Sequence, residues 1–248
     1  MTVTKVFFVA ELSGNHKGQI KLGKSMIRKA KESGASFVKL QYYKTERLYG
    51  REHSLFEKVK EAELNINQIA ELKEFAEDDV GIPLVCTVFV EPKLVDDLER
   101  IGLSYYKVRE ADSQNKALID RVLKTGKPVF ISTRRLPIDP YYLYNPHIHW
   151  LYVNIYYPPE LSEFELNRVA VFDGFSCHFP NILVPLAAAV MAKAENKKEY
   201  YIETHVTLSH QMAVLDSKVS IDFSELKKLI EQIRLIEQFG GTHYSATQ

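Results

Sequence analysis

The residues of this chain with the most evident chemistry are two lysines that lie inside short apolar segments. These are Lys39 and Lys107. Burying an ammonium group is costly unless it meets an anion. Two such lysines at one site, together with nearby arginines, would suit a phosphate or carboxylate ligand. The alternative is that each lysine forms a structural ion pair with Glu11 or Glu110.

Two histidines at the ends of later apolar segments form a second candidate site. His178 and His205 could share a divalent metal, with Glu11 or Asp216 nearby. The alternative is that each imidazole is simply hydrogen-bonded in the core or at the surface. Cys177 precedes His178, but neighbouring residues of a strand point to opposite faces, so we expect Cys177 to be a packing residue rather than a nucleophile.

Eight short apolar runs alternate with helical patterns and must position these side chains. Parallel strands buried on both faces have this character, and 248 residues suffice for eight strand–helix units. The pattern predicts an α/β fold, a (β/α)8 TIM barrel, whose active site lies at the carboxyl ends of its strands. A doubly wound open sheet is the alternative, but no Gly-rich dinucleotide turn is present. The predicted strands are Val6–Ala10, Ser36–Tyr42, Pro83–Phe89, Tyr105–Val108, Pro128–Thr133, Trp150–Tyr156, Phe175–His178 and Tyr201–Thr207.

The helical connections are uneven along the chain. We expect shortened helices after strands 5 and 6, because the segments that follow these strands are rich in proline and aromatic residues. The last helix is predicted to begin at a Ser224 cap. No linker or repeat interrupts the pattern, which predicts one domain over residues 1–248.

Charge and composition exclude several classes of partner. Lys and Arg number 32, as do Asp and Glu, and this balance argues against a nucleic-acid-binding surface. The longest run without a charged residue, Pro140–Pro159, contains four prolines and is not a membrane-spanning helix. The N-terminal apolar run is too short for a signal peptide, and two cysteines make no disulfide framework. We therefore expect a reduced, cytoplasmic protein that binds neither membrane nor nucleic acid.

At the predicted strand ends the sequence resembles the sialic acid synthase (N-acetylneuraminate synthase) family. The matching segments occur in the same order along the chain as in the family. They are Val9–Gly18, Ala30–Gln41, Cys86–Phe89, Thr125–Thr133, Ser176–His178 and Glu203–Leu208.

The resemblance implies a transferase of carbohydrate biosynthesis that joins phosphoenolpyruvate to an amino-sugar aldehyde and forms a 2-keto-3-deoxy sugar acid. It implies a divalent metal, Mn2+ or Mg2+, held by His178 and His205. Glu11 matches a catalytic carboxylate, and Lys39 and Lys107 match the lysines that bind phosphoenolpyruvate. The remaining positions taken as substrate-binding are Gln41, Asn154, Tyr156 and Asp216 around the acceptor, and Thr87 and Ser132 in the matched segments.

Two turns depart from the family pattern inside the expected site. The small residues that follow the second lysine are replaced by the turn Arg109–Asp112, and a glycine after Thr133 is replaced by Arg134. Either Arg109 and Arg134 bind the substrate, with Asp112 in the same altered turn, or the phosphoenolpyruvate site is lost.

The resemblance also leads to expectations about domain content, oligomeric state and alternative functions. Its members usually carry a C-terminal antifreeze-like domain, which the matched segments do not include, so we expect the acceptor pocket to be closed in another way. We also expect a homodimer. The alternatives to a synthase are an aldolase or lyase on the same barrel and a degenerate, non-catalytic member.

Overall fold

Parallel strands follow one another in chain order around a barrel in the computed structural model, which describes residues 4–239. Strand β8 pairs with both β7 and β1, so the sheet closes on itself and the predicted TIM-barrel fold is confirmed. The strands are β1 Lys5–Glu11, β2 Phe37–Tyr42, β3 Leu84–Val88, β4 Tyr105–Val108, β5 Val129–Thr133, β6 Ile148–Val153, β7 Gly174–Cys177 and β8 Glu199–Thr207. A short strand β9, Ser220–Asp222, extends the sheet beside the end of β8.

Helices follow most of the strands, and those after β5 and β6 are single turns, as predicted. The helices are α1 Ile20–Glu32, α2 Phe56–Ala62, α3 Ile66–Glu74, α4 Leu94–Arg100, α5 Lys116–Leu123, α6 Pro140–Leu143, α7 Leu166–Val169, α8 Leu183–Ala194 and α9 Phe223–Glu237. A π-helical segment, Phe75–Val80, continues α3. Every helix among the described residues is too short or too polar to span a bilayer.

Several predicted boundaries differ from the observed ones by one or two residues, and two of the differences change an assignment. Strand β6 ends at Val153, so Asn154 and Tyr156 lie in the loop that follows it. Helix α9 begins after Asp222 rather than at Ser224. The Asp222 carboxylate accepts hydrogen bonds from two main-chain N–H groups of the first turn, and the side chain of Glu225 accepts one in return, which forms a capping box.

The inside of the barrel has an apolar layer below a polar one. Alternate residues of a strand face inward, so each strand contributes to both layers. The apolar layer is an aromatic cluster in which Tyr201 stacks on Phe7 (5.2 Å between centroids) and meets Phe130 edge-on (5.0 Å). The next inward residues toward the carboxyl ends, such as Lys39, Lys107 and Glu203, are polar and buried. Cys86 and Cys177 pack in the outer core cluster instead, and both are buried and free of a disulfide.

Gly174 of β7 is required by close packing around the apolar layer. A Cβ atom there would lie 2.3 Å from the Tyr201 carbonyl oxygen and 2.5 Å from Leu151 Cδ2. We expect Gly174→Ala to lower the free energy of unfolding by about 1–3 kcal/mol, measured by urea denaturation, because the barrel wall must shift. Gly50→Ala is the control, since its Cβ would meet only the Glu52 side chain. Equal losses in both variants would contradict this account.

His16, in the loop after β1, makes the fold sensitive to acid. Its ring is buried, and Nδ1 accepts a hydrogen bond from the Gly18 N–H (3.0 Å). Burial lowers the pKa of His16 from 6.5 to about 4. The unfolded chain therefore takes up this proton first, and the stabilisation that is complete above pH 6.5 is lost as the pH falls toward 4.

The expected loss from His16 is about 3 kcal/mol of unfolding free energy across that window. Urea denaturation at several pH values measures it in the wild type and in His16→Gln. Between pH 4 and 6.5 the unfolding free energy of the variant should depend less steeply on pH, by the equivalent of about one proton taken up on unfolding. This holds whatever the stability of the variant at neutral pH. Identical slopes would exclude His16 as the titrating group.

Candidate active site

A cavity of about 670 Å³ opens at the carboxyl ends of the strands. Most of the residues predicted from the sequence line this one space. They are Glu11, Lys39, Gln41, Thr87, Lys107, Arg109, Ser132, His178, His205 and Asp216. Four others, Asp112, Arg134, Asn154 and Tyr156, do not line it.

A chain of alternating charges lies buried at the base of the cavity. Lys39 Nζ is 2.5 Å from Glu11 Oε2 and 2.9 Å from Glu203 Oε1. Lys107 Nζ is 2.8 Å from Glu203 Oε2, and Ser176 Oγ donates a hydrogen bond to Glu203 Oε1 (2.8 Å). Lys39 thus forms the ion pair with Glu11 that the sequence left open, whereas Lys107 pairs with Glu203 and not Glu110. We call Glu11, Lys39, Glu203 and Lys107 the buried charge chain.

Strand register explains how this chain forms from distant sequence positions. Glu11 on β1 lies beside Lys39 on β2 and beside His205 on β8. Glu203 lies two residues before His205 and therefore faces the same side of β8. Sequence reasoning did not select Glu203 as a site residue, although this spacing of two is a signal for it.

The buried charge chain sets the pKa values of its members. Burial alone would lower the pKa of Lys39, but Glu11 and Glu203 raise it above its usual value. Burial would raise the pKa of Glu203, but the two lysines hold it well below its usual range. Lys107 has less compensation, and burial lowers its pKa to about 8. At neutral pH Lys39, Lys107 and Glu203 are therefore charged at the base of the cavity.

Some residues that line the same cavity carry buried polar atoms without hydrogen-bond partners. Among residues 4–239, eight buried side-chain N or O atoms lack a partner, and four of them belong to cavity-lining residues. These four are Thr87 Oγ1, Ser132 Oγ, His178 Nδ1 and His205 Nδ1. Buried polar groups are rarely left unpaired without a reason, and a bound ligand is one such reason.

His178 and His205 fit a divalent metal. Their ring centroids are 5.3 Å apart; His205 is buried and His178 is half-buried. The Nδ1 atom of each ring is buried without a hydrogen-bond partner. Burial and the neighbouring His205 lower the pKa of His178 to about 3, so its imidazole is neutral and has a lone pair available for a metal. Glu11 and Asp216 do not join them in a group of three close ligand atoms within the described residues. Two protein ligands would leave coordination positions for water and substrate.

Asp216 is held at the cavity wall by two hydroxyl groups. Tyr157 donates to Asp216 Oδ1 (2.5 Å), and Ser13 donates to Oδ2. The Tyr157 ring also lies edge-on to His178, with centroids 4.7 Å apart. Sequence reasoning selected Tyr156 and missed Tyr157, because the predicted strand extended past Val153 and the course of the loop could not be derived.

Arg109 occupies the altered turn and still faces the cavity. Its guanidinium lies over the Phe89 ring (4.3 Å to the centroid), and its Nε donates to Asp112 Oδ2 (2.6 Å). Asp112 thus orients Arg109 and does not itself line the cavity. The terminal nitrogens of Arg109 make no hydrogen bond to residues 4–239, so they remain available to an anion.

Arg134, Asn154 and Tyr156 line a second depression of about 380 Å³ beside the cavity. Arg134 Nε is 3.2 Å from Glu110 Oε1, so it is committed to an ion pair. The Asn154 side chain braces the loop by donating to the Glu163 carbonyl (2.7 Å) and accepting from the Tyr156 N–H (3.0 Å). Of the four cationic residues expected at the site, Lys39, Lys107 and Arg109 line the cavity and Arg134 does not.

A further group of metal-type ligands lies at the surface. His210 Nε2 is 2.7 Å from Glu225 Oε2 and 3.9 Å from Asp222 Oδ2. Both carboxylates also cap α9, which accounts for their positions without a metal.

Comparison with known proteins points to one family. The model of the NeuB family matches residues 26–135 and 147–245. An uncharacterised protein of Methanocaldococcus jannaschii is 32% identical over 95% of this chain and 72% of its own length. Human N-acetylneuraminate-9-phosphate synthase is 27% identical over 95% of this chain and 71% of its own length. The crystal structure of a sialic acid synthetase from Leptospira borgpetersenii superposes with a TM-score of 0.84 at 26% identity, covering 98% of this chain and 87% of that one.

Proposed function

The chain belongs to the NeuB family, and on that premise we propose that it joins phosphoenolpyruvate to an aldose-like acceptor. The products are a 2-keto-3-deoxy sugar acid and phosphate. The observation that carries the proposal is that one cavity is lined both by the buried charge chain and by four residues with buried, unpartnered polar atoms.

Phosphoenolpyruvate binds at the base of the cavity in this proposal. Lys39 and Lys107 provide the positive charge, and the unpartnered hydroxyls of Thr87 and Ser132 donate hydrogen bonds to its oxygens. Arg109 contributes its terminal nitrogens. Because Glu11 and Glu203 already compensate the lysines, the site is formed before the ligand arrives and needs little rearrangement.

Glu11 is the catalytic carboxylate of the proposal. The Ser13 N–H (2.7 Å) and Lys39 fix its two oxygens, so it has one defined orientation in the cavity. C3 of the enolpyruvate bonds to the acceptor's aldehyde carbon, and water adds at C2 with Glu11 as general base. The bond between C2 and the phosphate oxygen then breaks, which releases phosphate. His178 and His205 would hold a divalent cation, Mn2+ or Mg2+, which when bound supplies Lewis-acid polarisation of the acceptor carbonyl.

Thermal denaturation with matched ligands tests this proposal against the two alternatives. Phosphoenolpyruvate with Mn2+ should raise the Tm in a concentration-dependent way, because both bind only the folded protein. Pyruvate at the same concentration should raise it far less, since it lacks the phosphate. An equal response to pyruvate would favour an aldolase. No response to either would favour a degenerate, non-catalytic barrel.

A further inference from the structure

Two lysines at the rim of the active-site cavity lack a carboxylate partner. Lys58 and Lys218 form no ion pair with any residue from 4 to 239, although both line the cavity. The other cations lining it, Lys39, Lys107 and Arg109, are each paired with a carboxylate. The uncompensated positive charge of the cavity therefore lies at its mouth and not at its base.

The same two lysines also line a neighbouring pocket, which we call the side pocket. This pocket has a volume of about 300 Å³ and shares Lys58, Leu215 and Lys218 with the main cavity. Lys17 also lines it and has no carboxylate partner among the described residues. Glu61 is the only acidic residue of the lining, so three lysines and one glutamate leave a net charge of plus two.

Close packing of the loop after β1 forms the floor of this side pocket. A Cβ atom on Gly14 would lie 2.9 Å from Leu215 Cδ2 and 3.0 Å from Ala62 Cβ. Gly18 has a φ of +64°, and a Cβ there would lie 2.3 Å from the Glu61 carbonyl oxygen. The loop thus lies directly on α2, which brings Lys17 into the same pocket as Lys58.

The side pocket is close to the part of the cavity where the acceptor is expected. Lys218 follows Asp216 by two residues. Leu215, which directly precedes Asp216, lines both the cavity and the side pocket. A linear sugar with its carbonyl near the histidines and its hydroxyls near Asp216 would extend toward this pocket.

We propose that the acceptor is a phosphorylated aldose and that Lys17, Lys58 and Lys218 bind its phosphoryl group in the side pocket. This inference rests on the proposed function. A phosphomonoester carries close to two negative charges at neutral pH, which match the net charge of the lining. Lysine ammonium groups suit a phosphoryl group whose orientation is not fixed by a bidentate contact.

The test compares free aldoses with their terminal phosphates as acceptors, at fixed phosphoenolpyruvate and Mn2+. The readout is the ratio of kcat/KM for the phosphorylated sugar to that for the free sugar. We expect a wild-type ratio of at least about ten, and a roughly tenfold fall of this ratio in Lys58→Ala and in Lys218→Ala. Lys60→Ala is the matched control, because Lys60 lies on the same helix but pairs with Glu46 and Glu63 and lines neither space.

A ratio near one in the wild type, or one that the lysine variants leave unchanged, would overturn the inference. A ratio that falls in Arg135→Ala instead would place the phosphoryl group in the second depression, which also contradicts it. If no acceptor is turned over, the proposed function fails separately, and calorimetric binding decides this inference. Glucose 6-phosphate should then bind more tightly than glucose, and Lys58→Ala and Lys218→Ala, but not Lys60→Ala, should abolish the difference; equal binding would overturn the inference.

Discussion

Glu203→Ala is expected to lower the free energy of unfolding by about 3–5 kcal/mol and to abolish turnover. Glu203 is the carboxylate that bridges Lys39 and Lys107, at 2.9 and 2.8 Å. Its removal leaves Lys39 with Glu11 but leaves Lys107 buried without any carboxylate partner among the described residues. An uncompensated buried charge is far more costly than the loss of an exposed ion pair.

Two further variants isolate the cause of this loss. Glu199→Ala removes the same side chain from the exposed start of β8, where it accepts one hydrogen bond from Tyr201 Oη (3.3 Å), and should lower stability by no more than about 1 kcal/mol. The double variant Lys107→Met with Glu203→Leu removes both charges and should recover most of the lost stability while remaining inactive. Urea denaturation measures all three. If the double variant is less stable than Glu203→Ala, the buried charge chain does not explain the loss.

His178→Ala and His205→Ala are each expected to weaken divalent-metal binding by more than about a hundredfold, with a corresponding loss of turnover. Each variant removes one of the two imidazoles that line the cavity and have a buried Nδ1 without a hydrogen-bond partner. Metal content after dialysis against limiting Mn2+ is the direct measurement, and it does not depend on identifying the acceptor.

His210→Ala is the control for the metal experiment, because His210 belongs to the surface group with Asp222 and Glu225. It should retain the metal of the wild type. Retention of metal by His178→Ala and His205→Ala, together with its loss from His210→Ala, would assign the metal to the surface group and contradict the account.

Much of the site was predictable because successive side chains of a strand alternate between its two faces. Lys39 and Lys107 stand out because a lysine within an apolar run must face something other than apolar side chains. The same alternation could have identified Glu203, since it shares a face with His205. What sequence alone does not provide is the partner of each charge, because Lys107 pairs across the barrel with a residue 96 positions away.

Loops account for the residues that the sequence did not place. Tyr157 lines the cavity and Tyr156 does not, and this depends on where β6 ends and how the following chain turns. Arg134 follows β5 directly, yet its side chain pairs with Glu110 and lines the second depression instead of the cavity. The side pocket likewise depends on the contact between the loop after β1 and α2. This contact cannot be predicted from the alternation of apolar and polar residues.

The most direct test of the central claim is acceptor-dependent release of phosphate from phosphoenolpyruvate by the full chain with Mn2+. Free and phosphorylated hexosamines and pentoses serve as acceptors, and mass spectrometry identifies the product. The account predicts phosphate release with at least one acceptor, in equal amount to a 2-keto-3-deoxy sugar acid, and none without an acceptor. Folded, metal-loaded protein that releases no phosphate with any of these acceptors would contradict it.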